Sequence, residues 1–339
     1  MKTLILNEND IEKAAQIIKK GGLVAMPTET VYGLAANALD GKAVAKIFKA
    51  KGRPMDNPLI VHISDISQIY SLVSEFPEKA KILADKFWAG PLTIILPKSD
   101  IIPDEVSAGL DTVAVRFPSN EIARKLISLS MPLAAPSANL SGSPSPTNAR
   151  HVRDDMNGRI DAIIDGGECE VGVESTVITL ATDIPRLLRP GGITVEQLRE
   201  AIGEVIIDDA VLNPLKSGER AASPGMKYKH YAPKANVILL KGADDEYIEY
   251  VNARAGDDVC ALCCDEDLLS LKVKTVSLGR RGDYLTHARH LFDCLRGIDE
   301  NKTVLTVYSR LPSTEGVGLA VYNRLIRAAG FEVIDLEKV

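Results

Sequence analysis

Lys49, Lys51 and Arg53 fall within five residues of each other, on a stretch pinned by Gly52, Pro54 and Pro58. Arginine offers phosphate oxygens a bidentate fork and lysine a point charge. Such residues are usually solvated surface charge, but a solvated loop has no need of two prolines and a glycine. Pro27-Thr28-Glu29-Thr30-Val31-Tyr32-Gly33-Leu34 sets two hydroxyls and a carboxylate directly after an apolar run, where a loop can reach a ligand. Read alone, it is a turn. Arg116 lies between Val115 and Phe117 in an alternating run, so a buried guanidinium there needs a partner, either a bound carboxylate or a structural salt bridge. His62 closes an apolar strand and reads as a ligand contact or as a satisfied core histidine.

Three further segments add hydroxyls and close-approach positions. Ala134–Ser145 is a run of small residues that lets backbone and hydroxyls near a ligand. Gly172-Val173-Glu174-Ser175-Thr176 and Leu188-Arg189-Pro190-Gly191-Gly192 contribute a hydroxyl pair and another arginine on a glycine turn. Trp88-Ala89-Gly90-Pro91-Leu92-Thr93 reads as a tight turn with a core aromatic. Together these supply cations for phosphates, an arginine for a carboxylate and hydroxyls for both, without an evident covalent nucleophile. That set suits a nucleotide and an amino acid held side by side, with the protein positioning them and offsetting charge.

Other common chemistries lack their residues. Gly41-Lys42 is followed by Ala43, so no phosphate loop closes, and Gly316-x-Gly318 meets Val321 where a dinucleotide fingerprint needs glycine. The Gly316–Gly318 turn reads as a helix start. No serine nucleophile elbow and no His-Glu-x-x-His occurs. Cys260-x-x-Cys263 with His287-x-x-His290 is spaced too widely for a compact zinc finger. Val259–Cys264 reads better as a buried strand with cysteine as a small hydrophobe.

Elements must position these groups. Residues 8–20 carry an apolar helical stripe ended by Gly21-Gly22. Strands are expected at Leu23–Met26, Leu59–Ile63, Leu92–Leu96, Val113–Phe117, Ala162–Ile164 and Thr176–Leu180, and helices near 41–50, 77–87, 120–129 and 194–202. Such a mixture predicts an α/β domain with a twisted sheet. Asn213 to Lys234 shows no periodicity and holds five cations against one acid, a linker or functional loop. Beyond it, strands near 236–240, 258–263, 273–277, 303–308 and 332–335 alternate with helices near 244–254, 284–296 and 318–329, which predicts a small parallel-sheet domain.

At 339 residues the chain has room for about two domains. A net charge of −6 weighs against a broad polyanion-binding surface. Residues 1–20 have no continuous apolar core of a signal peptide, and no run is long enough to span a bilayer. The expectation is a cytoplasmic protein whose five cysteines are reduced.

The motifs Pro27–Leu34, Lys51-x-Arg53-Pro54-x-x-Asn57-Pro58-Leu59-x-Val61-His62, Gly90-Pro91-Leu92-Thr93, Val115-Arg116-x-Pro118, Ala135-Pro136-Ser137-Ala138-Asn139 and Arg189-Pro190-Gly191 resemble, in number and order, the YrdC-type L-threonylcarbamoyladenylate synthases. Ser223-Pro224-Gly225-Met226-x-x-x-His230-Tyr231-Ala232-Pro233 resembles the linker of that family's long form. The resemblance implies a YrdC-like twisted mixed sheet with a concave cleft over 1–208, a basic linker or lid over 209–235, and a smaller Rossmann-like parallel α/β domain over 236–339. It implies synthesis of threonylcarbamoyl-AMP and pyrophosphate from L-threonine, bicarbonate and ATP, feeding threonylcarbamoyladenosine formation at position 37 of tRNA. Carried over motif by motif, Lys51, Arg53, Ser137 and Asn139 are the catalytic set. Arg53, Asn57, Thr112, Ser137, Ser145, Arg189 and Tyr231 face ATP, and Thr30, His62, Arg116, Ala135 and Ser175 face L-threonine. Magnesium is expected on the phosphates without direct protein ligands. Expected partners are tRNA threonylcarbamoyl transferase proteins downstream and a weak contact with tRNA. Ala89 stands where the family often has proline and Asn120 where it often has histidine; Asn120 is placed to cap a helix. Two rival functions are an RNA-binding module and the carbamoyl-transfer domain of hydrogenase maturation proteins, whose zinc-finger-like and acylphosphatase-like segments have no counterpart here.

Overall fold

Short apolar runs, none able to stand alone, pair across long sequence separations to make the larger sheet of the computed structural model, which describes residues 2–214 and 231–338. Its strands are β1 (Leu4–Leu6), β2 (Val24–Met26), β3 (Gly33–Asn37), β4 (Ile60–His62), β5 (Leu92–Pro97), β6 (Thr112–Arg116), β7 (Leu133–Ala134), β8 (Ala162–Ile164), β9 (Thr176–Thr179), β10 (Arg186–Arg189) and β11 (Ile206–Ile207). They are ordered β1-β8-β2-β3-β7-β4-β6-β5-β9-β10-β11. Pairing is mixed: β4 runs parallel to β6 and β5 to β9, while β5 and β6, and β3 and β7, are antiparallel.

Helices cover this sheet by burying one stripe each. Helix Ile11–Lys19 sinks Ile11, Ala14, Ala15 and Ile18 into a cluster with Val24, Met26, Leu126 and Ile164. Helix Glu121–Leu129 adds Ala123, Leu126 and Ile127 and is capped by Asn120, whose side chain accepts the Ala123 N–H at 3.1 Å, as its sequence position predicts. Helix Gly41–Lys51 ends where Gly52 takes φ +65°, the left-handed conformation that stops a helix cheaply only at glycine.

By its contacts the chain divides into two compact units, Met1–Ser141 with Ser145–Lys227 and Gly142–Pro144 with Tyr228–Val339. The second holds a wholly parallel sheet of β12 (Asn236–Lys241), β13 (Val259–Cys263), β14 (Lys274–Ser277), β15 (Thr306–Arg310) and β16 (Val333–Asp335), in the order β14-β13-β15-β12-β16. The mixed sheet and the parallel α/β sheet are those expected from sequence.

Several expectations are corrected. Gly33–Asn37 is a strand rather than loop, Leu133–Ala134 is a strand opening the small-residue run, and Arg186–Arg189 and helix Ala149–Met156 were not foreseen. The strand expected near 303–308 lies at Thr306–Arg310, because Asn301–Thr303 folds into a turn in which the Asn301 side chain accepts the Thr303 N–H at 3.3 Å. Trp88 is half-buried rather than core; its ring N–H donates to the Leu92 carbonyl at 2.8 Å. Residues 209–212, expected to start the linker, form a helical turn whose Ala210 joins a core cluster with Leu188. The rest of the basic stretch, Lys216, Arg220, Lys227, Lys229 and the Ser223–His230 motif, lies outside the described residues. Val259–Cys263 is a strand buried along its length, and burial pushes the Cys260 and Cys263 thiols up to about 11 and about 12, as for small hydrophobes. The Gly316–Gly318 turn starts helix Gly318–Ala328, as expected.

Candidate active site

Sheet register lines up the polar groups. His62 on β4 pairs with Arg116 on β6, and Arg116 pairs with Thr93 on β5, so the three share one face of the sheet. Two strands further on, Arg189 of β10 stands opposite Val177 of β9, itself opposite Thr93. Ser175, just before β9, joins these ends: its hydroxyl lies 2.8 Å from that of Thr93 and accepts from Arg189 Nη2 at 3.1 Å. Arg189 Nε also donates to the Ser175 carbonyl at 3.0 Å. Gly191 permits this, because a Cβ there would meet the backbone N of Thr176 at 2.4 Å and the carbonyl O of Glu174 at 2.6 Å.

Arg116 is the centre of the row. Its Nη2 donates to Glu29 Oε1 at 2.7 Å, its Nη1 to Thr30 Oγ1 at 2.8 Å, and its Nε to the Gly90 carbonyl at 3.4 Å. Both partners of the ion pair are buried, at 4% and 5% side-chain exposure. Of the two sequence readings of Arg116, the salt bridge is present. It does not exhaust the pair, because Glu29 Oε2 is buried with no hydrogen-bond partner. Thr30 is held in place by Thr28, whose hydroxyl lies 2.8 Å from that of Thr30, accepts the Val31 N–H and donates to the Val31 carbonyl. Beside this cation His62 is pushed down to about 3, first by burial and then by Arg116, so it is neutral at physiological pH; its Nδ1 lies 3.2 Å from the Ile60 carbonyl.

Lys51 and Arg53 flank Gly52 at the end of helix Gly41–Lys51. Buried Lys51 sends its Nζ to the carbonyls of Ser137 (2.5 Å) and Asn139 (2.7 Å), which fastens the Ser137–Asn139 loop to the helix end. Gly33 bridges to Ser137, and Leu34 N–H donates to the Pro136 carbonyl at 2.7 Å, so the same loop is also tied to β3. Arg53 Nη2 donates to the carbonyls of Asn57 and Pro58, both at 3.3 Å, which curls the Arg53–Pro58 loop. Asn57 is buried and its side-chain oxygen has no hydrogen-bond partner. Ala135 leaves β7 with its N–H on the Ile60 carbonyl at 3.0 Å, next to His62. Ser145 donates to Glu174 Oε1 at 2.5 Å.

Thus one set of bonds joins Arg116 to Thr30 and Glu29, a second joins Ser175 to Thr93 and Arg189, and a third joins Lys51 to Ser137 and Asn139; register sets Thr93 and His62 on either side of Arg116. Thr112 stands apart, at the other end of β6, four residues from Arg116 and so roughly 13 Å along the strand. Tyr231 belongs to the second unit, where it is buried and its ring centroid lies 5.3 Å from that of Phe292. Glu29, Thr93 and Glu174 were absent from the set drawn from sequence. The carboxylate of Glu29 was visible in its motif; only pairing across the sheet shows that it meets Arg116. Among the described residues no group of three or more His, Cys, Asp or Glu side chains could hold a metal ion. No described helix is long and apolar enough to cross a membrane.

The chain is similar to known proteins over nearly its whole length. Residues 16–191 match the family described as "Telomere recombination", and residues 193–330 match the family described as "Threonylcarbamoyl-AMP synthase, C-terminal domain". A threonylcarbamoyl-AMP synthase of Pyrococcus abyssi is 48% identical over 350 residues, covering 98% of this chain and 100% of its own. One of Bacillus subtilis is 49% identical over 336 residues, covering 98% of this chain and 96% of its own. The crystal structure of P. abyssi Sua5 complexed with L-threonine is 48% identical and superposes with a TM-score of 0.92, over 98% of this chain and 99% of the other.

Proposed function

The chain belongs to the threonylcarbamoyl-AMP synthase family, and from that premise we propose how its own residues carry the reaction. The activity is adenylyl transfer that makes threonylcarbamoyl-AMP, the activated intermediate of threonylcarbamoyladenosine in tRNA. L-Threonine, bicarbonate and ATP enter, and threonylcarbamoyl-AMP, pyrophosphate and the water lost when amine and bicarbonate form the carbamate leave. The amine of threonine, as its carbamate, presents a carboxylate oxygen to the α-phosphorus of ATP; the new O–P bond forms as the bond to pyrophosphate breaks.

The buried Arg116–Glu29 pair carries this reading. A zwitterionic amino acid needs one charge of each sign, already fixed and desolvated. Arg116 takes the threonine carboxylate, Glu29 Oε2 faces the amine, and Thr30, His62, Ala135 and Ser175 surround the side chain. The unpartnered Oε2 supports this, since an unsatisfied buried carboxylate oxygen costs free energy until something donates to it. Neutral His62 adds no cation to compete for the carboxylate. Lys51, Arg53 and Arg189 offset charge on the phosphates, a role in which fixed charges out of bulk water act most strongly. Ser137, Asn139, Asn57, Thr112, Ser145 and Tyr231 are assigned to the nucleotide by the motif resemblance; for Thr112 and Tyr231 it is the sole support.

Magnesium fits this donor set as a phosphate-borne ion. Of the carboxylates near the row, Glu29 is bonded to Arg116 through Oε1 and assigned to the amine through Oε2, Glu174 is bonded by Ser145, and the unpartnered amide oxygen of Asn57 is a hard ligand the chain can offer. When bound, the ion neutralises the triphosphate. The test of the whole reading is threonine- and bicarbonate-dependent release of pyrophosphate from ATP. Lys51→Ala with Arg53→Ala is expected to abolish it, and unchanged turnover would remove the cationic clamp.

A further inference from the structure

The parallel sheet of the second unit has a topological switch point, and none of the residues assigned above to the synthase reaction lies at it. From β12 the chain crosses through helix Asp244–Asn252 to β13, toward one edge of the sheet; from β15 it crosses through helix Gly318–Ala328 to β16, toward the other edge. Right-handed crossovers in opposite directions put these helices on opposite faces. Tyr247 and Val251 of the first helix accordingly pack on β12 and β13 side chains in a cluster of their own. Adjacent strands whose connections diverge in this way leave a crevice outside their carboxyl ends, the usual ligand position in parallel α/β sheets.

A cavity of about 280 Å³ occupies that crevice between β12 and β15. Part of its wall is apolar, formed by Leu240, Leu262, Leu278, Leu311, Val321 and Leu325, and His287 and Ser309 also line it. Asp244, Arg281 and Arg310 stand at its rim and are locked together by Asp267 behind them. Asp267, wholly buried, accepts Arg281 Nη2 at 2.7 Å and Arg310 Nη2 at 2.9 Å on one oxygen, and Arg310 Nε at 3.2 Å on the other. Asp244 bonds the Nη1 of both arginines. Asp267 and Arg310 are covered, while Asp244 and Arg281 stay 53% and 40% exposed. The rim therefore presents one carboxylate beside one guanidinium. These bonds engage one N–H on each terminal nitrogen of Arg281 and none on Nε. Lys241, the other cation of the lining, is paired to Asp335 at 3.2 Å, so the rim carries no net positive charge to favour a phosphate.

We propose that this cavity is a second binding site, for a small amino acid with an apolar side chain, whose α-carboxylate sits on Arg281, whose α-ammonium sits on Asp244, and whose side chain lies against the leucine-lined wall. A carboxylate and a guanidinium side by side on the rim match the two charges of a zwitterion better than those of a simple anion. The volume lies at the lower limit of small-molecule sites, about 300–1,000 Å³, which excludes a dinucleotide. The site stands on residues 240–335 alone and does not depend on the roles assigned to the catalytic row.

The test is calorimetric titration of the full-length protein with L-leucine, L-isoleucine, L-valine and L-methionine separately, without threonine or ATP. At least one is expected to bind with a Kd below about 1 mM, and Arg281→Gln is expected to weaken it at least tenfold. The same variant keeps threonine-dependent pyrophosphate release, because Arg281 lies outside the catalytic row. The leucine analogues 4-methyl-2-oxopentanoate, without the ammonium, and isoamylamine, without the carboxylate, are each expected to bind at least tenfold more weakly than leucine. Should Arg281→Gln fail to fold, Arg281→Lys keeps the charge, loses the fork and is expected to weaken binding severalfold. Absence of binding by all four amino acids at 10 mM, equal affinity in the Arg281 variants, or tighter binding of inorganic phosphate would overturn the proposal.

Discussion

The Glu29–Arg116 pair is a buried ion pair and the proposed clamp for threonine, and single substitutions separate the two roles. Removing one partner of a buried pair leaves an uncompensated charge, at about 3–5 kcal/mol. Glu29→Ala is therefore expected to lower the unfolding free energy by about that amount in urea titration. Glu29→Gln keeps the shape and a hydrogen bond, so its larger effect falls on the substrate: KM for threonine rises about tenfold or more while KM for ATP changes little. If both constants move together, Glu29 acts only through structure. His62 gives a pH signature. Its pKa falls from about 6.5 unfolded to about 3 folded, so below 6.5 the unfolded chain binds a proton that the native protein does not. Its contribution is intact above pH 6.5 and lost as pH falls toward 3, at up to ~1.4 kcal/mol per pH unit. Urea midpoints between pH 4 and 7 are expected to slope less in His62→Asn than in the parent; equal slopes would show that His62 is not held neutral.

Two glycines hold elements where those residues need them. Gly52 takes φ +65° with open space around it, so Gly52→Ala pays backbone strain of about 1–2 kcal/mol and no collision. A Tm drop of a few degrees is expected, with activity largely kept, because Lys51 is still fastened by the Ser137 and Asn139 carbonyls. Gly191→Ala is the opposite case, since its methyl would strike the Glu174–Thr176 backbone and push Ser175 off Arg189 and Thr93. It is expected to cut kcat/KM at least a hundredfold, and a variant with normal kinetics would remove Ser175 from the site. The elements themselves were unevenly legible. Helices with a clear apolar stripe, such as Ile11–Lys19, and runs of branched residues, such as Ile60–His62, are fixed by local periodicity. Gly33–Asn37 and Leu133–Ala134 were not, because glycine and alanine carry almost no strand preference. They are strands because their neighbours pair with them.

At the scale of the whole molecule, charge limits what else the enzyme holds. With a net charge of −6, binding of unmodified tRNA at about 150 mM salt is expected to be no tighter than the nonspecific range, a Kd of roughly 10⁻⁶–10⁻⁴ M, and to weaken steeply with added salt. Filter binding that found nanomolar, salt-insensitive affinity would contradict this. The basic stretch 209–235 is proposed to serve the catalytic site. A chain ending at residue 214, which keeps the helical turn Asp209–Leu212, is expected to lose most turnover, and full activity would refute that role. The chain by itself determined the family, the α/β character of both domains and the residue types of the site, since these are local facts of motif and periodicity. Only the tertiary structure decided that Glu29 meets Arg116, that Ser175 joins Thr93 to Arg189, and that Asp244 and Arg281 share a rim. Each of those contacts joins positions far apart in sequence through strand register and crossover direction, and such pairings leave no mark on the spacing of residues along the chain.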